Sequence, residues 1–194
     1  NASAHPKVTE ESMTLVTSPA TRTKRDAPKA AVDGGREVPR SSSWRALENY
    51  FTETPIKADE KPEAVEVAIG ADLSARGLPT LVGVIDLVRS GGRIVDFKLT
   101  GKTPDPEMVA HMHGTQLTAY SILYRDATGR EEGGLELHHL VRTKAPKCII
   151  TSMPPATEQQ VTRLFRAMES YQEGVARQDF VPSPGFGCMG CEFI

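Results

Sequence analysis

The chain has 194 residues, enough for one domain with a sizeable core and too few for two comfortable ones. Hydrophobic residues make up 39% and charged residues 25%, and the formal net charge of −2 excludes a globally basic protein. A nucleic-acid binder of this composition has to gather its lysines and arginines locally. No apolar run approaches the roughly 18–20 residues that span a bilayer.

Residues 1–42 are rich in Thr, Ser, Ala, Pro and Lys/Arg without apolar periodicity, and a disordered arm is expected there. Residues 1–25 are polar throughout and carry no signal-peptide core, so a cytoplasmic protein is expected. Order is expected from Ser43, the predicted N-cap of a helix over residues 44–51 with Trp44, Leu47, Tyr50 and Phe51 on one face. Residues 64–69 alternate as a strand, with Val65, Val67 and Ile69 on one face and Glu66 on the other. Residues 81–88 and 93–99 are β-branched runs, each broken by a carboxylate, Asp86 and Asp96, and Ser90-Gly91-Gly92 between them reads as a hairpin turn. Pro104 and Pro106 open a helix over about 107–125. Residues 135–143 and 148–152 form a second hairpin around Ala145-Pro146. Thr157 is the predicted N-cap of a helix to about Arg177, with Val161, Leu164, Phe165, Met168 and Tyr171 as its buried stripe. The order β-β-β-α-β-β-α predicts an α/β domain, a mixed sheet flanked by helices.

The chemistry is concentrated in the central hairpin. Strand residues two apart point the same way, so Asp96 and Lys98 share a face and Phe97 points into the opposite layer. A turn centred on Gly91 puts Asp86 directly opposite Asp96. Two facing carboxylates repel, and inside apolar strands they call for a compensating cation. Mg²⁺ or Mn²⁺ fits, because hard divalent ions prefer carboxylate and carbonyl oxygens. Glu66 would supply a third oxygen and the Phe97 main-chain carbonyl a fourth. Lys98 beside them would orient or deprotonate the attacking water and stabilise charge on a scissile phosphate. The plainer alternative is a cross-strand Asp86–Lys98 ion pair on a solvated face. On the next helix Gln116 and Tyr120 are one turn apart, with His113 on the same face. They either contact phosphate or base, or are ordinary core and boundary residues.

The run "GVIDLVRSGGRIVDFKLTG" followed by "TQLTAY" resembles the signature of the RecB-like exonuclease branch of the PD-(D/E)XK nuclease superfamily. That signature has an Asp ending one strand, Asp-x-Lys on the next and Gln-x-x-x-Tyr on the following helix. The resemblance covers residues 63–124, and "FVPSPGFGCMGCEF" resembles the family's C-terminal cysteine region. It implies a restriction-endonuclease-like fold over residues 43–180, with a cysteine-bearing tail at 181–194. Glu66, Asp86 and Asp96 would be metal ligands, Lys98 the catalytic lysine, and Gln116 and Tyr120 the substrate-binding accessory motif. The implied activity is Mg²⁺- or Mn²⁺-dependent hydrolysis of DNA from an end, on single-stranded or unwound substrate, alongside a helicase or a recombination or CRISPR partner.

Parts of the pattern are absent. Relatives carry Gly-x-x-His or an acidic residue on a helix before the first strand. Here the only earlier His is His5, in the arm, and Glu48 is a weak substitute. Cys188 and Cys191, spaced Cys-x-x-Cys, suggest a metal or iron–sulfur site before a disulfide in a reducing compartment. Cys148 falls in a predicted strand, so a four-cysteine cluster is expected only if the chain is a piece of a longer protein. His111 and His113 project to different sides of their helix, and His138 and His139 to opposite sides of theirs. Lys102, Arg142, Lys144 and Lys147 form either a local basic strip for DNA or ordinary solvated surface. Two further classes stay open: a catalytically impaired nucleic-acid-binding module, and a non-nucleolytic assembly subunit with the same fold.

Overall fold

The computed structural model describes residues 41–179 and the backbone of two short strands, β1 (Val32–Asp33) and β2 (Arg36–Glu37). The chain divides into two compact units, residues 1–40 and 41–194. In the first, β1 and β2 pair antiparallel, Val32 with Glu37 and Asp33 with Arg36.

The second unit begins with α1 (Ser42–Glu53), capped by the Ser41 hydroxyl, which accepts from the Trp44 N–H. The cap thus lies two residues before the expected Ser43. Tyr50 and Ala46 are buried as a helical face, whereas Phe51, expected beside them, is 72% exposed. There follow β3 (Ala64–Ala71), a 3-10 turn (Ser74–Arg76), β4 (Leu81–Arg89), β5 (Arg93–Thr100), α2 (Pro106–Thr128), β6 (Gly134–Val141), β7 (Lys147–Met153) and α3 (Glu158–Arg177). The five strands β3–β7 lie in sequence order in one sheet. All neighbours are antiparallel except β5 and β6, which α2 joins as a crossover helix. This is the α/β architecture expected from the sequence, a mixed sheet flanked by helices.

Local chemistry explains the helix limits. Asp105 caps α2 by accepting from the Glu107 and Met108 N–H groups, Pro106 sits in the first turn, and Gly129 ends the helix in a left-handed conformation. Thr157 and Gln160 form a capping box at the start of α3. Phe165 of α3 is buried, and Val161, Leu164 and Met168 pack on the same core. Tyr171, expected in that stripe, is 76% exposed, and the stripe packed on the core ends at Met168.

The sheet has two chemically distinct faces. On one, Ile85, Val88, Ile94, Leu135 and Leu137 pack with Leu117 and Val109 of α2. On the other, α1 lies over β6 and β7. Asp96 and Lys98 stand beside Leu137 and His139 on the α2 face, and Phe97 beside His138 on the α1 face. The β4–β5 ladder holds only three pairs, ending at Leu87–Val95, whereas β5–β6 holds eight. The sheet therefore opens between β4 and β5 just where the two carboxylates begin. Among the described residues no helix is long and apolar enough to cross a membrane.

Candidate active site

Asp96 is 2% exposed, at the open end of β5. Its Oδ1 accepts a hydrogen bond from Gln116 Nε2 at 3.0 Å, and the Lys98 ammonium lies 2.8 Å from its Oδ2. The same ammonium donates to Gln116 Oε1 at 3.2 Å, and Gln116 Nε2 also donates to the Tyr120 hydroxyl oxygen at 2.8 Å. One glutamine amide thus ties Asp96, Lys98 and Tyr120 together, and α2 reads the β5 pair through it. Residues four apart on a helix stack on one face, which is why Gln116 and Tyr120 act jointly.

A residue the sequence pattern did not single out makes this contact possible. A Cβ on Gly83 of β4 would lie 2.8 Å from Leu123 Cδ1 and 3.6 Å from Tyr120 Cε1. Glycine at that position lets α2 settle onto β4 and brings the Gln116–Tyr120 stripe down to the sheet. A glycine inside a β-branched run was the available signal.

Asp86 does not face Asp96 as a ladder pair, contrary to the register expected from the turn. The turn does set Arg89–Arg93, Val88–Ile94 and Leu87–Val95 as expected, and pairing stops there. The Asp86 Oδ2 accepts the Phe97 N–H at 2.9 Å instead. Parting the strands relieves the repulsion that two opposed carboxylates would suffer. Across β3–β4, the pairs Val65–Leu87 and Val67–Ile85 flank Glu66 and Asp86, which sets Glu66 opposite Asp86. Glu66 is exposed and has a left-handed φ of 47°, uncommon for a residue with a Cβ. The strand's alternation breaks there. Val67 and Ile69 pack on the α2-side core as expected, but Val65 is 59% exposed.

The predicted residues are therefore brought together in part. Asp96, Lys98, Gln116 and Tyr120 form one bonded cluster, Asp86 is joined to β5 through the Phe97 N–H, and Glu66 lies opposite Asp86 with an exposed side chain. Among the described residues no three His, Cys, Asp or Glu side chains converge as a metal cluster. The donors nevertheless suit a hard divalent cation. Asp96 Oδ2 is buried and has no aligned hydrogen-bond donor, Lys98 being close in distance only, as an ion pair. The Lys98 ammonium already matches that oxygen, and the carboxylates of Asp86 and Asp96 with the Phe97 carbonyl are the oxygen types a hard divalent ion takes.

His139 closes the same face. It is 4% exposed, its ring centroid lies 6.3 Å from that of His113 on α2, and its Nδ1 is buried without a partner. Burial pushes its imidazole below the ordinary value, helped by His113 and Lys98 and opposed by Asp96. His138 faces the other way, as expected, and bonds Tyr50 and Glu136. His111 is exposed on the α2–α3 side. Cys148 sits in β7, half-buried, and burial raises its thiol. Glu48 is on α1, over the face opposite Lys98. Lys102, Arg142, Lys144 and Lys147 are all exposed, and the Arg142 N–H bonds the Thr100 carbonyl at the end of β5, the end toward which Lys98 lies. His5, Cys188 and Cys191 fall outside the described residues.

The profile of the PD-(D/E)XK nuclease superfamily matches residues 3–194. A protein of Eubacterium rectale named "Putative exonuclease" has a similar solved structure, with 14% identity and a TM-score of 0.48 over 82% of this chain and 76% of its own. A second solved structure, of a protein named SSO0001, is 14% identical, with a TM-score of 0.45 over 77% of this chain and 66% of its own. No curated protein matches the sequence. The chain belongs to the PD-(D/E)XK nuclease superfamily.

Proposed function

We propose that this member of the nuclease superfamily is a metal-dependent DNA exonuclease of the RecB-like branch, acting on single-stranded or unwound ends. The observation that carries the reading is the Gln116 amide, which fixes Lys98 against a buried Asp96 at the mouth of the opened sheet. A solvated ion pair needs no such construction. Asp86 and Asp96 would hold Mg²⁺ or Mn²⁺, with the Phe97 carbonyl and Glu66 as further oxygens. The cation would supply Lewis-acid stabilisation of charge on the scissile phosphate.

The chain's own residues do the rest. Lys98 is placed to orient the attacking water and to neutralise charge as the phosphate is attacked. Gln116 keeps the ammonium in line, and Tyr120 fixes the Gln116 amide. Lys102, Arg142, Lys144 and Lys147 would bind backbone phosphates at the same end of the sheet. A helicase or recombination partner would deliver an unwound end.

One observation favours a second reading, a nucleic-acid-binding module with impaired catalysis: Glu66 does not converge with Asp86 and Asp96. Cleavage of end-labelled single- and double-stranded DNA with Mg²⁺ or Mn²⁺, in wild type, Lys98→Ala and Asp86→Ala, separates the two. Cleavage blocked by EDTA and lost in both variants supports the nuclease, and a ladder shortening from one end supports an exonuclease. DNA binding without cleavage by the wild type supports the module.

A further inference from the structure

We propose that Phe97 is a positioning residue for Asp86, clamped from the far side of the sheet by Tyr50 and His138. The inference rests on the reading of Asp86 as a cation ligand and adds what holds that ligand in place.

Asp86 stands where its strand has lost its neighbour. The β4–β5 ladder ends at Leu87–Val95, so no ladder pair fixes Asp86 against β5. Its carboxylate is tied to β5 by the main-chain N–H of Phe97. The orientation of one peptide unit thus sets where Asp86 points, and the carbonyl proposed as a ligand belongs to the same residue.

The Phe97 side chain fixes that residue from the opposite face. Its ring meets Tyr50 of α1 and His138 of β6 edge-on, with centroids 5.6 Å away and planes at 89° in both cases. Edge-to-face contacts of this kind are directional as well as apolar. The clamp is itself immobilised: the Tyr50 hydroxyl bonds His138 Nδ1 at 2.9 Å, and His138 Nε2 bonds Glu136 Oε2 at 3.0 Å. Glu136 continues to Arg89 at 3.1 Å, and Arg89 makes a two-pronged pair with Glu60 at 2.9 and 2.8 Å. His138 is fully buried and Tyr50 5% exposed, whereas Phe97 is 37% exposed. So Phe97 has less to gain from burial than its neighbours, and its ring contacts are better explained as setting an orientation. α1, which offers no His toward the carboxylates, would serve the site from behind the sheet.

The test is made on the full chain with Mn²⁺ as the probe. Calorimetric Mn²⁺ affinity is measured for wild type, Asp86→Ala, Phe97→Leu, Phe97→Ala, Phe97→Tyr and Tyr50→Phe, with folding followed by circular dichroism. Hydrogen exchange at the Phe97 amide is followed in parallel. The expected result is roughly a tenfold to hundredfold loss of Mn²⁺ affinity in folded Phe97→Leu, the range for residues that orient metal ligands. Exchange at that amide should quicken while the rest of β5 stays protected, and Phe97→Tyr should restore both. Tyr50→Phe keeps the ring and loses only the hydroxyl, so a smaller loss is expected. Should Phe97→Ala fail to fold, Phe97→Leu and Tyr50→Phe still decide. Unchanged affinity and exchange in both Phe97→Leu and Tyr50→Phe, with affinity lost in Asp86→Ala, would overturn the clamp alone. Unchanged affinity in Asp86→Ala overturns the ligand reading and the clamp with it.

Discussion

The two faces of the sheet carry similar polar inventories and treat them in opposite ways. On the α1 face, Tyr50, His138, Glu136, Arg89 and Glu60 form a continuous chain of hydrogen bonds between 2.8 and 3.1 Å. On the α2 face, His139 Nδ1 and Thr151 Oγ1 are buried without a hydrogen-bond partner, and Asp96 Oδ2 is held by the Lys98 ammonium alone. Thr151 pairs with Leu137, which places it on the same side as the other two. The two orphaned side-chain atoms of the described residues, His139 Nδ1 and Thr151 Oγ1, thus lie on the face that bears Lys98. A buried polar atom left unbonded costs roughly 1–3 kcal/mol. Under the proposed function, the first face is scaffold and the second carries the binding chemistry.

Substitution can break that contrast. The largest effect is expected on the α2 face: Lys98→Ala should lower kcat/KM for DNA about a thousandfold, roughly 4 kcal/mol of transition-state stabilisation. Its unfolding free energy should fall by less than that, because Lys98 is itself 27% exposed and Asp96 keeps the hydrogen bond from Gln116 Nε2. Cleavage assays and urea unfolding on one preparation check both halves, and a stability loss matching the activity loss would dissolve the contrast.

The reverse is expected behind the sheet. Arg89→Ala takes the cation from Glu60 and one of three partners from Glu136, which keeps Arg93 and His138, and breaking a pair of this burial should destabilise by roughly 3 kcal/mol. Activity per folded molecule should fall far less than in Lys98→Ala, as active-site-normalised kinetics would show. Gly83→Val is expected next in size. Its side chain would press on Leu123 and Tyr120, and overpacking of this kind costs about 1–3 kcal/mol. It should also raise KM, since α2 carries Gln116, whereas Arg89→Ala should not.

How much of this could be read from the sequence follows the same division. The strands, the crossover helix and the shared faces of Asp96–Lys98 and of Gln116–Tyr120 were legible, because two-residue and four-residue spacings dictate shared faces without reference to the rest of the fold, whereas only the family resemblance implied that the two pairs belong to one site. The relation of Asp86 to Asp96 was not. Counting from the turn assumes an unbroken ladder, and the ladder opens where the two carboxylates would repel. Val65 misled for a related reason, since the left-handed Glu66 beside it ends the alternation on which its face was assigned. The Tyr50–His138–Glu136–Arg89–Glu60 chain joins residues up to 88 positions apart, and no local pattern announces a network assembled by tertiary packing. Tyr171 was read as buried, and Phe51 as sharing the face of Tyr50, because periodicity tells which residues share a face but not how far the partner surface extends.

The smallest effects separate the faces by pH. Burial pushes the Glu136 carboxyl up, but its hydrogen bond and charge interaction with His138, and the Arg89 guanidinium, outweigh that and hold it below the ordinary glutamate value. The unfolded chain then takes up a proton near pH ~4.3 that the folded protein refuses until lower pH. Stability from Glu136 is therefore complete above that value and is lost as pH falls through the folded one. His139 is depressed as well, chiefly by burial, relative to an ordinary value of ~6.5. Its contribution is complete above that value and declines as pH drops through its own folded value, a window at higher pH. Urea midpoints measured from pH 8 down to pH 3 should fall in two stages. His139→Asn should flatten the first, and Glu136→Gln should make the second shallower, Glu132 and Glu63 retaining part of it because they too are held low. If both variants flattened the same stage, the two faces would be titrating as one network, and the division between scaffold and site would have to be abandoned.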